Sequence, residues 1–290
     1  MMHIGIDEAG YGPTLGPLCV AAIASPTPPH EISRLWQEAA CGIRDSKRLH
    51  RSQHIGPLES VALGIITWAT GYSPANALEL FALMGETPDH RADAPWCCNA
   101  TDYPLPLAQE PIKSLPASVV PGGLHGRILH PWHLNTQREQ GINRLRSEWL
   151  AIRELLDAPW DAGDAARTYA CDRLGGRTHY QHDLQEWKPQ WNCQAVAEEQ
   201  GNCYRLLGPS ALAYELGFWV KGEDRHPLIA AASIVAKYTR EVHMHLFNDW
   251  WCKQMRWLKP TAGYPQDAKR WLHQIGEGHR NAWGHLLVRQ

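Results

Sequence analysis

The sequence predicts an α/β chain in which a mixed β-sheet is flanked by helices. Strand-like apolar runs come first, tracts with helical spacing follow, and a proline-dense stretch interrupts them without a periodicity of its own.

Residues 2–7 read as a short strand entering a tight turn, punctuated by Gly10, Gly12, Pro13 and Gly16. The continuous apolar run from Leu18 to Ala24 fits a buried strand, and Ser60 to Trp68 is a third strand candidate. Pro74 to Met84 has helical period and composition. Residues 85–125 carry Pro88, Pro95, Pro104, Pro106, Pro111, Pro116 and Pro121 and lose all periodicity, which predicts an irregular insertion or surface flap extending to about 140. Helical spacing returns over 141–156 through Ile142, Leu145, Trp149, Ile152 and Leu155. Arg167 to Cys171 reads as a core strand ending at Asp172. From Ile229 to Tyr238 helix formers dominate, and small residues along one face would let this helix lie close to a sheet. A helical C-terminal part is expected over about 240–290, within a single domain spanning 1–290.

The 290 residues, 44% hydrophobic and 20% charged, have the composition of an ordinary globular domain. No apolar run approaches the roughly 18 residues of a membrane helix, and the amino terminus lacks a signal-peptide pattern, so the expectation is a cytoplasmic monomer without membrane contact. The eight cysteines include no CxxC pair, and no His follows Cys97-Cys98 at zinc-finger spacing; reduced, buried thiols are expected. The net charge of −2 excludes a globally basic nucleic-acid binder, leaving local patches for that role. Among the 14 tryptophans, Trp187/Trp191 and Trp250/Trp251 have the spacing of base-stacking pairs, but core filling is the expected role.

The strongest chemical signal is Asp7-Glu8-Ala9-Gly10-Tyr11-Gly12-Pro13-Thr14-Leu15-Gly16-Pro17. Two adjacent carboxylates repel unless a cation or proton settles them, and on a strand they point to opposite faces. The glycine spacing is not that of a dinucleotide fingerprint, and no Gly-Lys-Ser/Thr follows to make a phosphate-binding loop.

This segment resembles the first motif of ribonuclease HII. In family order, Asp45-Ser46-Lys47-Arg48-Leu49 is similar to its Asp-Ser-Lys motif, Tyr169-Ala170-Cys171-Asp172 to the strand bearing the third acidic residue, and Ile229 to Glu241 to its alanine-serine helix; Gly263-Tyr264-Pro265 and His279-Arg280 resemble the C-terminal segment. The resemblance implies a ribonuclease H-like fold and a metal-dependent endonuclease cutting the RNA strand of RNA–DNA hybrids, or DNA containing ribonucleotides, to 5′-phosphate and 3′-hydroxyl ends. It implies Asp7, Glu8 and Asp172 as metal-holding catalytic residues. The fourth position falls on Glu223 in place of the family's Asp, with Asp224 beside it. Two Mg²⁺ or Mn²⁺ ions suit such a carboxylate set, and the lack of Cys and His among these ligands argues against zinc there.

The resemblance further implies that the Gly10–Gly12 turn approaches the ribose 2′-hydroxyl, that Ser46 and Lys47 approach the backbone, and that Tyr264 senses the RNA–DNA junction. Tyr11 stands where the family has Arg, removing a charge next to a phosphate. Lys47, Arg48, Lys221, Lys237, Arg240 and Arg280 are candidate phosphate contacts, whereas His243 and His245 are expected to be structural. The alternative is a nucleic-acid-binding protein of the same fold with weak or no cleavage; retention of every acidic position argues against it, since binding alone favours less negative charge near phosphates.

Overall fold

Alternation along β1 (Met2–Ala9) sets up the two-sided architecture of the chain. Ile4 and Ile6 enter the core on one face, while Gly5 and Ala9 turn to the other. In the computed structural model, which describes residues 1–43, 49, 54–91, 94–98, 100–108, 110–160, 166–198, 201–209 and 213–290, β1 lies inside a seven-stranded sheet of order β3-β2-β1-β4-β7-β6-β5. Asp45, Ser46, Lys47 and Arg48 lie outside the described residues.

β2 (Leu18–Ser25) runs antiparallel to β1 and to β3 (Gly123–Leu129). All of β2 is buried, as its unbroken apolar run requires of a strand covered on both faces. β4 (Arg167–Asp172) is parallel to β1 and to β7 (Ala213–Trp219); antiparallel β6 (Gly201–Leu207) and β5 (Asn192–Glu198) finish the other edge.

One face is covered by α8 (Pro227–Gln254), α2 (Gly56–Thr70), α1 (Pro29–Glu38) and α3 (Ala77–Leu83). The small residues of α8 bring its backbone against β1: a Cβ on Gly5 would stand 2.2 Å from the Leu228 carbonyl carbon. The opposite face packs on α6 (Arg144–Leu156), with Trp149 fully buried, and on α7 (Gln181–Trp187). A third cluster joins the second half of α8 to α4 (Pro95–Cys98) and α9 (Pro265–Leu287), a helix interrupted at Gly276. Trp149, Trp251 and Trp271 are fully buried and Trp187 nearly so, in keeping with core filling. Among the described residues no helix is long and apolar enough to cross a membrane.

Two expectations need correction. Ser60–Trp68 is not a strand but the body of α2, which starts on Gly56-Pro57 and stops at Gly71 in the left-handed conformation. Its residues are apolar on nearly every side because the helix is sandwiched, and periodicity cannot tell such a helix from a buried strand. The stretch from 85 to 140 is irregular only in part: 123–129 form the edge strand β3, and α5 (Pro131–Glu139) follows. Its irregular portion is tied down by buried Glu59 of α2, whose carboxylate accepts the Leu107 N–H at 2.7 Å and the Ala108 N–H at 2.6 Å.

Candidate active site

Because β1 and β4 are parallel and in register up to Ile6 opposite Cys171, their next residues, Asp7 and Asp172, arrive side by side at the same end of the sheet. Asp7 is buried, on the α8 side, where Ser233 and Lys237 both favour its charged form. The Lys237 ammonium donates to Ser233 Oγ at 2.9 Å, one helical turn away. Glu8 turns to the opposite face, towards α6, and its backbone N–H donates to Asp7 Oδ1 at 2.8 Å. The expected divergence of the two carboxylates is therefore real, and the strand end serves both.

What Glu8 meets on that side is Glu148 of α6, a fully buried carboxylate neither of whose oxygens has a hydrogen-bond partner. Glu148 escaped the motif reading, although a signal existed: at i+3 from Leu145 and i−4 from Ile152 it interrupts the apolar face of its helix. Asp172, half-buried, accepts the Gly222 N–H through Oδ1 at 2.6 Å. Glu223, also half-buried, is close enough to raise the Asp172 carboxyl, whereas Asp224 in the same turn is exposed.

Burial and mutual repulsion act together here. Desolvation first, then the Glu8 and Asp172 charges, push Asp7 well above the usual carboxylate range. Desolvation and Glu148 push Glu8 up to about 8; desolvation with Asp7 and Asp172 does the same to Glu148, also to about 8. Carboxylates so placed need either protons or cations, and a donor set made of oxygen suits hard divalent ions. The unpartnered Glu148 oxygens fit that requirement.

The glycine turn is held from behind by two arginines. Gly10 and Gly16 have φ of +91° and +79°, and a Cβ on Gly10 would stand 2.6 Å from the Pro17 carbonyl oxygen. Arg289 donates to both carbonyls, reaching Gly16 through Nε at 2.7 Å. Arg240 is 3% exposed and donates to the Ala262 carbonyl at 2.9 Å, its guanidinium 5.7 Å from the Tyr264 ring centre. Arg240 thus braces the turn from inside, in place of the surface position expected of a phosphate contact. Tyr264, 48% exposed, caps the start of α9 beside the turn. Lys221 and Arg280 are exposed and stand apart from these contacts.

Tyr11 is not without a cation. Arg144, at the start of α6, donates to the Tyr11 carbonyl at 2.9 Å and places its guanidinium 5.9 Å from the ring centre. A cleft of about 500 Å³ opens here, lined by Tyr11, Arg138, Asn143 and Arg144 among others. A positive charge therefore stands beside residue 11, contributed by a helix far along the chain.

A mixed sheet with carboxylates gathered at the ends of two adjacent parallel strands and a long helix packed across them is a ribonuclease H-like fold. The family model for ribonuclease HII matches residues 4–63, the segment that carries β1, the glycine turn and β2. Its fold is similar to that of ribonuclease HII in the PCNA:RNase HII complex from Archaeoglobus fulgidus, at a TM-score of 0.52 and 18% identity, covering 100% of this chain and 94% of that one. It is equally similar to ribonuclease H2 from Pyrococcus horikoshii OT3, with a TM-score of 0.52, 16% identity and coverage of 100% and 92%. No curated protein matches the sequence.

Proposed function

We propose that this chain is an endoribonuclease of the ribonuclease H type that hydrolyses the RNA strand of RNA–DNA hybrids with divalent cations. The observation that carries the reading is the convergence of Asp7, Glu8, Glu148 and Asp172 at one end of β1 and β4, where they raise one another's affinity for positive charge. In this reading Asp7, Glu8 and Asp172 hold Mg²⁺ or Mn²⁺, with Glu148 lining the same site and Glu223 standing in for the family's fourth residue ahead of Asp224. Held by these residues, the cations would supply activation of the attacking water and neutralisation of the charge that builds on the phosphodiester oxygens, for hydrolysis to 5′-phosphate and 3′-hydroxyl ends.

The chain's own residues do the rest. Ser233 and Lys237 favour the charged form of the Asp7 carboxyl from the α8 side. The amides of Gly10 and Gly12, in a turn that Arg289 holds through the Gly10 and Gly16 carbonyls, would meet a ribose 2′-hydroxyl, the group that separates RNA from DNA. Arg144 provides the phosphate charge that Tyr11 lacks, and Tyr264 lies where the strand would leave the turn.

The test is cleavage of two labelled duplexes, one with a run of ribonucleotides and one with a single embedded ribonucleotide, in Mg²⁺ and in Mn²⁺. Wild-type protein is expected to cut the run, and Asp7→Asn to lose at least about 100-fold in rate while still binding hybrid. Binding of hybrid without cleavage, equal with and without cation, would replace this reading with that of a binding protein. Cutting of the run alone would show that Arg144 does not restore single-ribonucleotide recognition.

A further inference from the structure

We propose that Cys97, His130 and His243 form a second metal site, for zinc, separate from the carboxylate cluster. The three residues are 2%, 0% and 2% exposed, and one ligand atom from each lies within 4.8 Å of the others. Cys97 Sγ and His243 Nε2 are 3.5 Å apart. With Zn–S near 2.3 Å and Zn–N near 2.1 Å, a tetrahedral ion spaces such a pair by about 3.6 Å.

The arrangement around His130 is the second, independent observation. Its Nε2 is engaged with the buried Glu86 carboxylate at 2.6 Å, and the other Glu86 oxygen accepts from Arg91 Nε at 2.9 Å. That fixes the ring and leaves Nδ1 as the ligand atom, and Nδ1 is buried with no hydrogen-bond partner. An imidazole held on one nitrogen by a carboxylate and presenting the other is how proteins prepare a metal-binding histidine. A plain thiol–imidazole contact would engage Cys97 Sγ and His243 Nε2 but leave His130 Nδ1 orphaned in the core, as His243 Nδ1 also is. The ligands explain the metal's class: one thiolate and two imidazoles suit zinc, not the hard ions expected at the carboxylates.

The position explains what it would do. Cys97 lies on α4 in the proline-dense stretch, His130 at the junction of β3 and α5, and His243 on α8. One ion would clamp the stretch onto the long helix behind the active site. A water would complete the tetrahedron.

The experiment is metal analysis of the full-length protein after exhaustive dialysis against Mg²⁺, with a Co²⁺ titration of the metal-stripped protein. We expect one zinc per chain, a thiolate-to-cobalt charge-transfer band, and loss of both in Cys97→Ser and His243→Ala but not in Asp7→Asn. Glu86→Gln should weaken zinc about 10- to 100-fold while retaining the band. Because Cys97→Ser changes a buried core position, the wild-type titration stands alone: a folded wild-type chain with neither zinc nor the cobalt–thiolate band overturns the site. Zinc lost in Asp7→Asn and kept in Cys97→Ser would overturn it equally, by placing the ion among the carboxylates.

Discussion

Replacing Glu148 with Gln removes one charge from the carboxylate cluster while keeping side-chain size, and its effect on stability can be worked out. A carboxyl group at about 8 in the folded chain against 4.5 for the free side chain binds its proton more tightly when folded. The stability this confers is fully present below pH 4.5 and is lost as pH rises towards and through 8. Each unit of difference corresponds to about 1.4 kcal/mol, so this one group costs the cation-free protein about 2 kcal/mol at pH 6 and about 5 kcal/mol at pH 9. Urea unfolding in EDTA should therefore show the wild type weakening by at least about 3 kcal/mol between pH 6 and pH 9, since Glu8, also raised to about 8, adds to the loss, and Glu148→Gln weakening distinctly less. Since the same chelator is present for both proteins, the comparison isolates the cluster. Saturating Mn²⁺ should reverse the order, stabilising the wild type more than the variant. Parallel pH slopes for the two proteins in EDTA would refute the argument that Glu148 is a charged partner of Asp7, Glu8 and Asp172.

Two further outcomes follow from the packing around this cluster. Arg144→Ala should weaken hybrid binding and lower the slope of log affinity against log salt by about 1, measured by fluorescence anisotropy; an unchanged slope would remove Arg144 from the phosphate contacts. Gly5→Ala places a Cβ 2.2 Å from the α8 backbone, and a destabilisation of about 3 kcal/mol in denaturant unfolding is expected. A near-neutral result would mean that α8 does not approach β1 as closely as the site requires.

Local chemistry was enough for much of this. The strand-into-turn pattern of 2–7, the apolar run of β2, the helical spacing of 141–156 and the small-residue face of α8 determine their own elements, because each pattern reports on burial that its immediate neighbours impose. The Asp7-Glu8 pair and its glycine turn were equally visible, since a left-handed turn admits little but glycine. Ser60–Trp68 misled for the same reason that it folds: a helix buried on nearly all sides loses the period that would identify it.

Tertiary structure alone decided the rest, by bringing together residues whose separation along the chain carries no signal. Glu148 faces Glu8 only because α6 packs on the side of β1 to which Glu8 points. Arg240 and Arg289 are drawn inward by the unpaired carbonyls of the Gly10–Gly16 and 262 turns, which no surface charge could satisfy. Cys97, His130 and His243 lie 33 and 113 residues apart in turn, far from any zinc-finger spacing, and meet because three separate elements converge on the middle of α8. Sequence determined which segments fold and where charge would be costly to bury; which distant group answers each charge was decided by packing.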